Sequence, residues 1–115
     1  MARNRGWAIL SLAALSSCAT SLATIRDKPA VEAVTSTRTV QQIEECIRLS
    51  QPGERRVDAI DMSGAREVTI WQAEAGMVMH FRLVPTTAGT EVTFRRKGGL
   101  VNYDDQARAC YGGQR

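Results

Sequence analysis

Hydrophobic positions recur with two different periods along this chain. Between Thr39 and Ser50, Val40, Ile43 and Ile47 fall at i, i+3 and i+7, one face of an α-helix. Thr39 followed by Gln42 matches a capping box, in which each residue satisfies a backbone N–H that the first helical turn leaves bare. Glu44 and Arg48 form an i, i+4 pair on the outer face, Cys46 lies beside the apolar stripe, and Pro52-Gly53 stops the helix. The period then changes to two. "ERRVDAIDM" and "REVTIWQAE" read as strands, the second rich in β-branched and aromatic residues. After a turn at Ala75-Gly76, "MVMHFRLV" alternates most clearly. It sets Met77, Met79, Phe81 and Leu83 on one face and Val78, His80, Arg82 and Val84 on the other. Pro85 to Gly89 reads as a loop, "TEVTFRR" as a strand with Val92 and Phe94 on one face, and Lys97-Gly98-Gly99 as its end. Tyr103, Ala107 and Cys110 at i, i+4 and i+7 predict a short closing helix that stops at Gly112.

Short connections between consecutive strands favour antiparallel pairing. The predicted fold is therefore α+β: an N-terminal helix, roughly four antiparallel strands, and a short C-terminal helix on the same sheet face. Residues 39–115 make up this domain. A body of about 75 residues buries only some 60% of its unfolded surface and gains from a covalent staple. Cys46 and Cys110, each on the inner side of a terminal helix, supply a candidate disulfide. A metal or redox site is the alternative, although neither cysteine belongs to a CxxC pair.

Residues 18–38, "CATSLATIRDKPAVEAVTSTR", show no clean period and lack aromatics. They read as a flexible tether, with a short helix near Ala30 to Val34 as the alternative.

The first 18 residues change the picture of where the domain works. Arg3 and Arg5 precede an apolar run from Trp7 to Leu15, which is too short to span a bilayer. Leu15-Ser16-Ser17-Cys18 follows: an aliphatic residue, two small residues and a cysteine. This resembles the lipobox of bacterial lipoproteins. The resemblance covers only this leader and implies cleavage after residue 17 and a diacylglycerol on the Cys18 thiol. Two or three acyl chains anchor a protein stably where one is marginal. Ala19 after the cysteine implies sorting to the outer membrane, facing the periplasm, in preference to the inner membrane. With Cys18 lipidated, only Cys46 and Cys110 remain to pair.

Of the formal charge of +3, Arg3 and Arg5 account for two, so the processed chain keeps +1. That balance predicts no nucleic-acid partner. Arg55-Arg56 and Arg95-Arg96-Lys97 could meet anionic lipid headgroups or envelope polysaccharide, or keep a sheet edge soluble. No nucleophile motif, phosphate loop or metal-ligand spacing is present, so no catalytic residue, metal or cofactor is expected beyond the lipid. Asp104-Asp105 and Glu44-Glu45 read as solvated pairs. His80 alternates with the core positions and is expected on the less buried face as a surface residue. Trp71 belongs either to the core or to that open face, where Trp71, His80 and Arg82 form a possible binding face. The expected role is non-catalytic, with an envelope protein or polysaccharide as partner. A small periplasmic enzyme, an enzyme inhibitor and a small-ligand-binding module are the alternatives.

Overall fold

The computed structural model describes residues 22–73, 75–97 and 104–112. It contains helices α1 (Leu22–Arg26), α2 (Val40–Ser50) and α3 (Asp104–Arg108). Its strands are β1 (Glu32–Ser36), β2 (Arg55–Met62), β3 (Ala65–Gln72), β4 (Gly76–Thr86) and β5 (Gly89–Arg96). All five strands form one antiparallel sheet in the order β1-β5-β4-β3-β2. The predicted α+β class holds, with one strand more than expected.

The extra strand comes from the stretch expected as tether. Within residues 18–38, Leu22–Arg26 is helical and Glu32–Ser36 pairs with β5. The segment near Ala30 to Val34 is thus extended where a short helix was the alternative. Its composition is weakly structured alone, but β5 offers an unpaired edge whose N–H and C=O groups need partners. Gly89 makes this approach feasible. Its φ is +147°, and a Cβ there would lie 2.0 Å from the Ser36 carbonyl oxygen.

Helix α2 forms as the pattern predicts. The Thr39 hydroxyl accepts from the Gln42 N–H at 3.1 Å, and the Thr39 N–H donates to Gln42 Oε1 at 3.0 Å. Ile43 and Ile47 are buried against Val68, Ile70, Phe81, Leu83, Val92 and Phe94. Phe81 and Phe94 stack at 4.8 Å, and Tyr111 meets Phe81 edge-on at 6.1 Å. Ala107, Cys110 and Tyr111 bring the C-terminal segment onto the same core. Cys46 and Cys110 form a disulfide, with Cα atoms 5.6 Å apart. Tyr103 and Gly98-Gly99 lie outside the described residues.

One β-bulge overturns part of the alternation read for β4. Ile70 pairs with Met79 but Trp71 pairs with Met77, so Val78 is the extra residue. Val78 and Met79 both join the core cluster, and Met77 does not. Met77 therefore shares the opposite face with Trp71, the reverse of the predicted assignment for Met77 and Val78. The loop expected at Pro85 to Gly89 is also shorter. Strand pairing continues to Thr86↔Gly89, leaving two turn residues. Pro85 fits within β4 because β3 pairing ends at Leu83, so its missing N–H costs no ladder bond there.

Glu32, on the edge strand β1, ties the sheet to the C-terminal segment. Arg108 donates to both Glu32 carboxylate oxygens at 3.1 Å, and the Tyr111 hydroxyl donates at 2.9 Å. Among the described residues no helix is long and apolar enough to cross a membrane.

Candidate functional site

The face opposite α2 is where charge is concentrated. Strict alternation around Val68 and Ile70 puts Glu67, Thr69 and Trp71 on that face of β3. Across the ladder, Glu67 pairs with Arg82 and Thr69 with His80, and on the next strand His80 pairs with Arg95. Helix α1 lies over this region, contacting β4 and β5, with Ile25 fully buried beneath it. It brings Arg26 to Glu67.

Glu67 is the centre of the arrangement and is 1% exposed. Its Oε1 accepts from Arg26 Nε at 3.2 Å and from His80 Nε2 at 2.8 Å, and is also bonded by Arg26 Nη2. Its Oε2 accepts from Arg82 Nη1 at 3.2 Å. Burial pushes this carboxyl up, but hydrogen bonds from Arg26 and His80 outweigh it and hold it below the usual carboxylate range. Glu67 is ionised at neutral pH. His80, also 1% exposed, moves the other way: burial lowers its pKa more than Glu67 raises it, and Arg26 and Arg95 lower it further. The neutral ring donates from Nε2 to Glu67. Its Nδ1 is buried with no hydrogen-bond partner among the described residues, which fits a bare acceptor better than a second N–H.

The expectation of His80 as a surface residue therefore fails, because α1, placed in the presumed tether, roofs the face. Arg82 does join His80 in one cavity of about 320 Å³, whose wall also includes Arg26, Arg95, Glu67, Met62 and Ser63. Trp71 does not. It lines a separate cavity of about 480 Å³ with Glu54 and Arg56, half-buried, its indole N–H on Thr69 Oγ1 at 3.2 Å. The Arg56 guanidinium lies 5.0 Å from the Trp71 ring and pairs with Asp58 at 2.9 Å. A third cavity, of about 410 Å³, is mostly apolar. Its two charged groups, Asp61 and Arg66, pair with each other at 3.2 Å.

Other charged clusters resolve into structural pairs. Glu44, expected as half of a solvated carboxylate pair, instead bridges Arg66 at 2.8 Å and Arg48 at 3.1 Å. Asp105 is exposed as expected. Arg55 bonds Gln72 and Gln51, and Lys97 caps the Ala75 carbonyl. No group of three or more His, Cys, Asp or Glu residues gathers among the described residues. Cys18 lies outside them.

Sequence reasoning missed Glu67, Arg26 and Ser63. The one available signal for Glu67 was a lone carboxylate in a strand, Ala65–Gln72, that runs on through Val, Thr, Ile and Trp. Arg26 carried no signal, since nothing local placed residues 22–26 over the sheet.

Chemically, the cavity holds charge; it does not expose a free acid or base. Both Glu67 oxygens are occupied, and His80 Nδ1 is sealed from solvent. Among the described residues that line it, three guanidinium groups face one carboxylate, a surplus of two positive charges. The fold is thus an open-faced antiparallel sheet with two helices on its core side, a short helix on the other, and a cationic cavity beneath the latter. No protein-family model matches the chain, and no curated protein or solved structure is significantly similar to it.

Proposed function

We propose that this is an envelope lipoprotein, anchored through lipid on Cys18 at the periplasmic side of the outer membrane. Its domain is a non-catalytic binding module, and the cavity beneath α1 is its binding site. The observation that supports this most is the surplus of two positive charges around Glu67, in a cavity whose carboxylate is already engaged and whose imidazole acceptor is buried. An arrangement built for proton transfer would present an accessible group to the substrate. This one presents fixed cations, which suits retention of an anion.

The anchor supports the same reading. The leader has the charged start, short apolar run and small residues that lipoprotein processing uses. The test is palmitate labelling in cells, followed by intact-mass measurement of the membrane fraction. The expected mature chain begins at a triacylated or diacylated Cys18, and Cys18→Ala abolishes the label. A wild-type chain without label, or a mass that places cleavage elsewhere, refutes the anchoring.

A further inference from the structure

We infer that the cavity beneath α1 receives a phosphate group, supplied by a membrane lipid headgroup or by a soluble phosphate ester. This rests on the reading of that cavity as a binding site and names its ligand chemistry.

The three arginines of the wall are not equivalent. Arg26 gives both Nε and Nη2 to Glu67. Arg82 gives Glu67 only Nη1, and Arg95 gives only Nε, to the Lys28 carbonyl at 3.0 Å. Their remaining donors have no partner among the described residues. Arg82 and Arg95 stand on adjacent strands, since Arg95 pairs with His80, two residues before Arg82. Diagonal neighbours on one sheet face lie roughly 7–8 Å apart, so two guanidinium forks converge on a shared space from two sides. Glu67 and the Lys28 carbonyl hold both forks in place before any ligand arrives, which lowers the ordering cost of binding.

Charge and volume select phosphate. Two surplus positive charges match a phosphomonoester, which carries about −1.5 to −2 and three acceptor oxygens. A carboxylate would leave one fork uncompensated. The cavity, at about 320 Å³, exceeds one water's share of roughly 30 Å³ about tenfold, room for a phosphate and part of its ester. Ser63 adds a hydroxyl-bearing side chain to the wall. Its φ of +53° puts it where Asn, Asp or Gly is the usual occupant.

The anchor brings a membrane source close. Only three residues, Ala19 to Ser21, separate Cys18 from the start of α1 at Leu22, four chain steps with a reach of at most about 14 Å. The face roofed by α1 then sits at headgroup level.

The test is the thermal midpoint of the purified full chain in maltoside micelles. One arm adds inorganic phosphate against chloride. The other dopes the micelles with phosphatidic acid, whose headgroup is a phosphomonoester, against phosphatidylcholine, whose phosphate is a diester. A saturable rise of roughly 10 °C at a hundredfold excess over Kd is expected in at least one arm. A rise with phosphatidic acid assigns the headgroup as source, and a rise with inorganic phosphate alone assigns a soluble ester. Arg82→Gln/Arg95→Gln should raise the half-saturating concentration about tenfold or more. Should that pair fail to fold, Arg95→Gln alone, which frees only a backbone carbonyl, should still raise it several-fold. Arg56→Gln, which removes the same charge near Trp71, should leave it unchanged. No rise in either arm, or an equal loss with Arg56→Gln, overturns the inference. Palmitate labelling reads the anchor without any phosphate ligand, so the two failures stay distinct.

Discussion

Replacing Cys46 and Cys110 together by alanine should cost this domain a large part of its stability. The bond joins α2 to the segment just after α3, across 64 residues of chain, and so ties nearly the whole sheet into one loop. In the chain-entropy account, a loop of that length removes about 14 cal/mol/K from the unfolded ensemble, or about 4 kcal/mol at 25 °C. Alanine at both positions avoids burying a hydroxyl at Cys110, which is fully buried. Ile43, Ile47, Ala107 and Tyr111 keep their places around the site. Small domains have total stabilities of about 5–15 kcal/mol, so the loss is a substantial share. It converts to a fall of roughly 20 °C in thermal midpoint. Scanning calorimetry of both proteins, without reductant, measures it. Peptide mapping of the wild-type chain should recover Cys46 and Cys110 in one cross-linked fragment. A midpoint lowered by less than about 5 °C would refute the loop argument. Separate, unbridged cysteine peptides from the natively purified protein would refute the bond itself.

Stability should decline in acid in two stages. His80 has a folded pKa below its unfolded 6.5, so the unfolded chain binds more protons and stability drops as pH falls below about 6.5. Glu67 contributes stability that is present above 4.5 and lost as pH falls through its lower folded pKa. Because His80 is the single histidine, His80→Gln should flatten the denaturant midpoint between pH 7 and about 5. An unchanged slope there would sink the assignment of a neutral buried ring. Gly89→Ala should unfold the β1 edge or the whole domain, since its Cβ would meet the Ser36 backbone. A fully folded variant by hydrogen exchange over β1 and β5 would contradict that packing. Glu32→Ala strands the buried Tyr111 hydroxyl and breaks the two-point bond to Arg108. It should destabilise by about 2–3 kcal/mol in urea titration, whereas a loss under about 0.5 kcal/mol would show that the pair contributes little.

What the sequence determined by itself was whatever local chemistry suffices to decide. Thr39 and Gln42 specify the start of α2 because a capping box needs only residues three apart. The alternation of Phe81 and Leu83, and of Val92 and Phe94, specifies which side of β4 and β5 is core. Cys46 on the inner side of α2 and Cys110 just past α3 specify their own pairing once the two segments share a sheet face. Tertiary structure decided the rest. Strand β1 exists because β5 has an open edge to fill, and no periodicity in residues 18–38 announces that. The bulge at Val78 is equally silent. Counting back from the Gln72↔Gly76 closure pairs Glu67 with residue 81, and the inserted residue moves its partner to Arg82. That one-residue shift brings carboxylate, imidazole and guanidinium to the same face. The cationic cavity then depends on Arg26, carried in by a helix of five residues with almost no propensity signal of its own. Burial of Ile25 and the ion pair with Glu67 hold that helix in place, and both interactions exist only once the sheet beneath it has formed.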